Sequence, residues 1–298
     1  MSVWESISRL VKDAPPAHVF ELSEAGVAHA SGARQRRASS LDTAFEPLPP
    51  GALEVSPVED NLRQIELILP VLGAAAAPKA VGLKGAKRRT AAVLLPDACA
   101  RISVLDFDAF PSVPAEQASL VRFRVKKTIP FDIDSAAVGY YVQPGGDKKS
   151  KTDVVAVTIA LEVLARYEAL FRNAGFHAGD ITVSGLAMLN LYKGQEAALL
   201  AKLAGNTLTA MVVAAGKLRL FRCLTLEQAT EDEIRSVLYP TFAYAEDELR
   251  APIRRVVLCG FRAPLENLPC ESEPLRGRFG AAGPFNAGLL GYMEATTL

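Results

Sequence analysis

The chain has 298 residues, half of them hydrophobic and 22% charged, a globular rather than a disordered composition. Lys+Arg and Asp+Glu both number 33, so the net charge is zero and no global field draws nucleic acid. Such a length can bury one large core or two smaller ones.

Trp4, Ile7, Leu10 and Val11 stand at helical spacing ahead of Pro15-Pro16. This predicts a short amphipathic helix, suited to a membrane, a partner or, first, the protein's own body. The start lacks the positive residues, apolar run and cleavage site of a secretory signal. Residues 18–30 read as a hairpin turning at 23–26. Residues 34–51 are polar and Pro-rich, a loop or irregular strand, and carry the basic patch Arg34, Arg36, Arg37. Pro57-Val58-Glu59-Asp60 opens a predicted helix that offers Leu62, Ile65, Ile68 and Leu69 to a core. A Gly/Ala/Lys linker follows at 74–89, with Lys84, Lys87, Arg88 and Arg89 as a second basic patch. Solvated loop tips are the first reading of both patches, and an anionic lipid contact at the second is the lesser one.

Residues 91–95 form an apolar strand that stops at Pro96. Pro114 suits a first helical position, Lys126 and Lys127 suit the negative end of the helix dipole, and Pro130 stops the run. The helix thus ends in an apolar hook, Ile129-Pro130-Phe131, before a strand bearing Tyr140 and Tyr141. That strand is expected to turn Val138, Tyr140 and Val142 to a core. A strand and a helix with the stripe Leu164, Tyr167, Phe171 come next, closed by Gly175 in a left-handed cap. After a strand at 180–183, Ser184 can cap a helix. Strands at 208–214 and 217–223, a helix at 231–249, a strand at 254–259 and a small-residue helix at 285–292 complete the chain. Alternating strands and helices predict an α/β architecture.

The longest apolar stretch, 197–216, is interrupted by Lys202 and Asn206, so no membrane span is expected. Cys99, Cys223, Cys259 and Cys270 stand singly, which suits free thiols in a reducing cytosol. Gly82-x-x-Gly85-x-Lys87 has the wrong spacing for a phosphate loop, and His18, His29 and His177 are isolated. Acidic clusters at 59–60, 132–134 and 231–233 fit helix starts and turns better than paired catalytic acids.

Taken in order, FELSEAGVAHA, the IPF hook, AGF-x3-DITVSGLAML, NTLTAMVVAAGKLRLFR and VVLCGFRAP resemble the PilM family, actin-like cytoplasmic proteins of type IV pilus assembly machines. The resemblance covers nearly the whole chain. It implies an α/β, actin-like (ribonuclease H-like) two-lobed fold with an inserted αβ subdomain. The first lobe would take 1–90, the insert 91–178 and the second lobe 179–298, with the last helix, about 284–298, returning to the first lobe.

The departures from the family pattern lie at its nucleotide site. Glu21-Leu22-Ser23 stands in place of the first Asp-x-Gly, where Glu21 could still reach magnesium but Ser23 adds a side chain against phosphate. Leu203-Ala204-Gly205 keeps the glycine and loses the acid ahead of Asn206 and Thr207. Gly260-Phe261 replaces a Gly-Gly pair, putting a ring where adenosine would lie, to block it or to stack on it. The resemblance therefore implies a vestigial site, no catalytic residues, no metal and no cofactor, with ATP and magnesium as the disfavoured alternative. It also implies a cytoplasmic scaffold at the inner face of the inner membrane, without nucleic acid. Its partners would be the amino-terminal tail of a PilN-like membrane protein and other platform components, with Ile129, Pro130 and Phe131 walling the tail's cleft. An active actin-like ATPase, a filament-forming protein and a type II secretion platform protein are the alternatives.

Overall fold

The computed structural model describes residues 16–31, 41, 43–76, 89–144 and 151–296. The expected amino-terminal helix, the patch at 34–37 and the basic run at 84–88 lie outside the described residues.

Two five-stranded sheets repeat one topology. The first contains β1 (His18–Ser23), β2 (Gly26–Ser31), β3 (Thr43–Pro47), β4 (Arg89–Leu95) and β8 (Phe176–Val183), in the order β3-β2-β1-β4-β8. The second contains β9 (Ala198–Ala204), β10 (Thr207–Ala214), β11 (Lys217–Thr225), β12 (Arg255–Cys259) and β13 (Ser272–Pro274), in the order β11-β10-β9-β12-β13. In each, three consecutive strands form an antiparallel meander and the next two add in parallel beside the first.

Strand alternation distributes the core over several layers. On the first sheet Phe20, Leu22, Ala91, Val93 and Leu95 face outward, under α1 (Ile65–Ala76) and α3 (Leu161–Asn173). Tyr167, Leu170 and Phe171 of α3 fill this layer, and Gly175, at φ +84°, ends the helix as its sequence predicts. Facing inward, Val19, Ala28, Ala92 and Leu94 share a cluster with Leu200, Met211 and Val257 of the second sheet. Two helices lie in that shared layer, α4 (Ser184–Met188) and α6 (Ala287–Thr296). The outer face of the second sheet is covered by α5 (Glu231–Asp247) through Ile234 and Leu238.

Between β4 and β8 the chain builds a smaller antiparallel sheet from β5 (Arg101–Phe107), β6 (Ala136–Val142) and β7 (Thr152–Ala160), ordered β5-β7-β6. Its helix, α2 (Pro114–Val125), starts at Pro114 and buries Val121 and Val125. The helix stops before Pro130 is reached, because the N–H and hydroxyl of Thr128 both donate to the Val125 carbonyl, at 2.8 and 2.9 Å. Val138 and Tyr140 pack partly on this subdomain's core, whereas Val142 is exposed and Tyr141 is buried. Gln143 docks the subdomain on the second lobe: its amide donates to the Leu218 carbonyl and accepts from the Leu218 N–H, both at 2.8 Å. Asp153 adds ion pairs to Lys217 at 2.7 Å and Arg219 at 3.1 Å.

Several limits differ from the sequence reading, and one strand is added to it. The insert is narrower than 91–178, since β4 and β8 pair within the first sheet and α3 covers its outer face; residues 101–160 form the insert. Helix α1 begins at Ile65, not Pro57, because Leu62 bridges Leu53 and the Asn61 side chain accepts the Ser56 N–H at 2.6 Å. Strand β9, inside the apolar stretch 197–216, was missing from the predicted elements.

Candidate functional site

The β1–β2 and β9–β10 hairpins occupy equivalent places in the two sheets, and both line one cavity of about 400 Å³ between the lobes. Its walls are mostly apolar, with Leu48, Pro50, Pro284 and Phe285 among them.

A buried charge network forms part of its wall. On β9, Leu199 and Ala201 face the outer cluster, so the period of two turns Leu200 and Lys202 inward. Lys202 is 4% exposed, and its ammonium lies 3.4 Å from Asp97 Oδ2 and 3.7 Å from Glu21 Oε1. It also donates to the Ser184 hydroxyl, which in turn donates to Glu21. The other Glu21 oxygen accepts the Leu289 N–H of α6 at 2.7 Å. Asp97, just after β4, accepts the Gly185 N–H at 2.5 Å and the Thr209 hydroxyl at 2.8 Å. Burial pushes the Glu21 carboxyl above its usual range, and Lys202, Ser184 and the Leu289 N–H pull it back only in part. For Lys202 burial opposes the charge, yet Asp97 and Glu21 outweigh it and hold the ammonium above the ordinary lysine value.

Among the residues singled out from sequence, Glu21, Ser23, Gly205 and Thr207 line the cavity. The Ser23 hydroxyl closes its own turn, donating to the Gly26 carbonyl at 2.9 Å and accepting the Gly26 N–H at 3.2 Å. Asn206 sits in the β9–β10 turn and donates its amide to the Glu227 carbonyl at 3.2 Å. Gly260, at φ +82°, packs where a Cβ would lie 2.1 Å from the Leu203 carbonyl oxygen. Phe261 packs on the outer apolar cluster of the second sheet and is not among the residues that line this cavity. The ring at the cavity is that of Phe285, stacked on Phe45 at 5.7 Å. Ser184 does not cap α4 with its side chain, because its hydroxyl belongs to the charge network.

The hook residues lie elsewhere. Ile129 packs on the insert's core, Pro130 is exposed, and Phe131 touches both the insert's core and the outer layer of the first lobe.

Sequence reasoning missed Asp97, Ser184 and Lys202 as one group. The usable signal was Lys202 itself, a charge on an inward strand position that needs buried partners.

A magnesium nucleotide does not fit these residues. The two acids that could organise a divalent ion already face an ammonium, and a second cation there would meet it at close range. Phosphate would meet the Ser23 side chain and the acids Glu21, Glu24, Glu54 and Asp97 of the same lining, where Lys202 is already paired. Among the described residues no three His, Cys, Asp or Glu side chains gather as metal ligands.

No family model and no curated protein matches the chain. Solved structures do match. A chain of the PilM-PilN type IV pilus biogenesis complex superposes with a TM-score of 0.72 at 16% identity, covering 96% of this chain and 100% of that one. The cytoplasmic domain of EpsL, an inner-membrane component of the type II secretion system of Vibrio cholerae, reaches 0.49 at 12% identity, covering 81% and 80%. A Bacteroides thetaiotaomicron protein with an actin-like ATPase fold and unknown function reaches 0.48 at 12% identity, covering 83% and 82%. The first likeness spans both lobes and the insert, so this chain has the actin-like fold seen in the PilM-PilN complex.

Proposed function

We propose that this chain is a cytoplasmic docking scaffold of a type IV pilus assembly platform. It holds the amino-terminal tail of a PilN-like inner-membrane protein, works without ATP and catalyses no reaction. The full-length likeness to a chain of the PilM-PilN complex carries this reading. The poor fit of the interlobe cleft to a magnesium nucleotide supports the nucleotide-free part. Attachment to the inner face of the inner membrane then runs through the partner; among the described residues no helix is long and apolar enough to cross a membrane.

The tail lies in this reading between the first lobe and the insert. Phe131 packs on the cores of both parts, beside Ile102, Val157 and Ile159 of the insert, which also reach the first lobe's outer layer, and so it helps to set their spacing. Titrating the full chain with a synthetic PilN-like tail should give saturable binding. Phe131→Ala should stay folded, losing less than the ~3–5 kcal/mol of a fully buried ring because the side chain is only half-buried. Its affinity for the tail should fall about tenfold or more, as aromatic anchors dominate such interfaces. A folded Phe131→Ala chain that binds the tail as tightly as wild type removes the hook from the mechanism. Absence of any tail binding by wild type overturns the docking reading.

A further inference from the structure

The charge network in the wall of the interlobe cavity explains itself poorly as ordinary core. Glu21, Asp97 and Lys202 are each almost wholly buried, and such groups cost several kcal/mol apiece to desolvate. An apolar trio would fill the same space without that cost. Their placement is also specific. Glu21 lies on the first strand of the first sheet, and Asp97 follows the strand paired beside it. Lys202 comes from the first strand of the second sheet, so the charge crosses from one lobe to the other. Both helices of the shared layer also donate backbone N–H groups to the acids, Gly185 from α4 and Leu289 from α6.

We propose that Lys202 is a resident cation: its ammonium fills, from within the chain, an interlobe cation site formed by Glu21, Asp97 and the Ser184 hydroxyl, and so latches the lobes together without any ligand. The donor set is the argument. Two carboxylates and a hydroxyl converge on one point, which is oxygen chemistry suited to a small hard cation. Lysine delivers the compensating charge on a tether that cannot leave. The lobes are thereby held in one closure, whereas a diffusible ion would let them open as it dissociates. This inference is independent of the docking reading, and its failure would leave that reading standing.

Removing the tether should expose the cation site. Lys202→Ala is expected to melt below wild type and to regain much of that loss when Mn²⁺ is added, while wild type is indifferent to the ion. Free Mn²⁺ followed by electron paramagnetic resonance should show the variant binding at least about tenfold more tightly than wild type. A variant with no response to Mn²⁺, or a wild type that responds equally, overturns the proposal. If Lys202→Ala does not fold, Glu21→Gln and Asp97→Asn combined with Lys202→Met decide the matter. Neutralised on both sides, that chain should fold and ignore Mn²⁺. A triple variant that fails to fold, or one that takes up Mn²⁺ as Lys202→Ala is expected to, rejects the charge account.

Discussion

Gly291→Val is expected to unfold the protein or leave it only marginally stable. A Cβ at Gly291 would lie 2.1 Å from the Ala187 carbonyl oxygen and 2.8 Å from its carbon, and one at Gly288 would lie 2.8 Å from Ser184 Cα. Helices α4 and α6 therefore meet backbone to backbone, and no side-chain rotation relieves the clash. Driving them apart would also displace Leu289, Tyr292 and Met293 from the shared layer and the Leu289 N–H from Glu21. Overpacking a core usually costs ~1–3 kcal/mol, and a backbone obstacle belongs at or beyond the top of that range. At ~2–4 °C per kcal/mol for large domains, the melting temperature should drop by roughly 6–12 °C or more. Gly139→Ala is the control, since nothing lies within 4 Å of its Cβ position. A Gly291→Val chain that melts with wild type would mean that α6 does not sit in the shared layer.

Asp97→Ala should have an effect of similar size by a different route. It strips Lys202 of its nearer carboxylate and leaves the Gly185 N–H and the Thr209 hydroxyl without their acceptor. Breaking a buried ion pair from one side costs about 3–5 kcal/mol, because the surviving charge stays buried and uncompensated. Asp97→Asn retains an acceptor oxygen and should cost less. Urea unfolding reads this directly: the midpoint should fall while the slope stays constant. An Asp97→Ala midpoint equal to wild type would show that the network contributes nothing to holding the lobes.

What the sequence made legible is mostly local. The 18–30 hairpin, the strand before Pro96, the start of α2 at Pro114, the Gly175 cap and the close-packing glycines of α6 each follow from a turn, a proline or a spacing, and the structure has them all. Strand β3 was harder, because it is exposed along its length and is fixed by pairing with β2 rather than by burial. The insert's limits were misplaced because β4 and β8 look like neighbours of the insert in sequence, while their partners are β1 and each other. The charge network was hidden for the same reason. Glu21, Asp97, Ser184 and Lys202 are far apart along the chain, and nothing near Lys202 announces its partners. Ser184 carried a helix-start signal, yet its hydroxyl serves the network instead. Phe261 was chosen for its place beside Gly260, whereas the ring at the cavity, Phe285, arrives with the segment leading into α6.

The central claim is a docking fold whose interlobe cleft carries its own cation and needs no nucleotide. Thermal melting of the full chain with and without about 1 mM Mg-ATP tests it most directly. A dissociation constant weaker than millimolar would add less than about 0.4 kcal/mol of apparent stability, so the account predicts a melting temperature unchanged to within roughly 2 °C. A saturable rise of several degrees would mean that the cleft accepts the nucleotide despite Lys202, and would contradict the account.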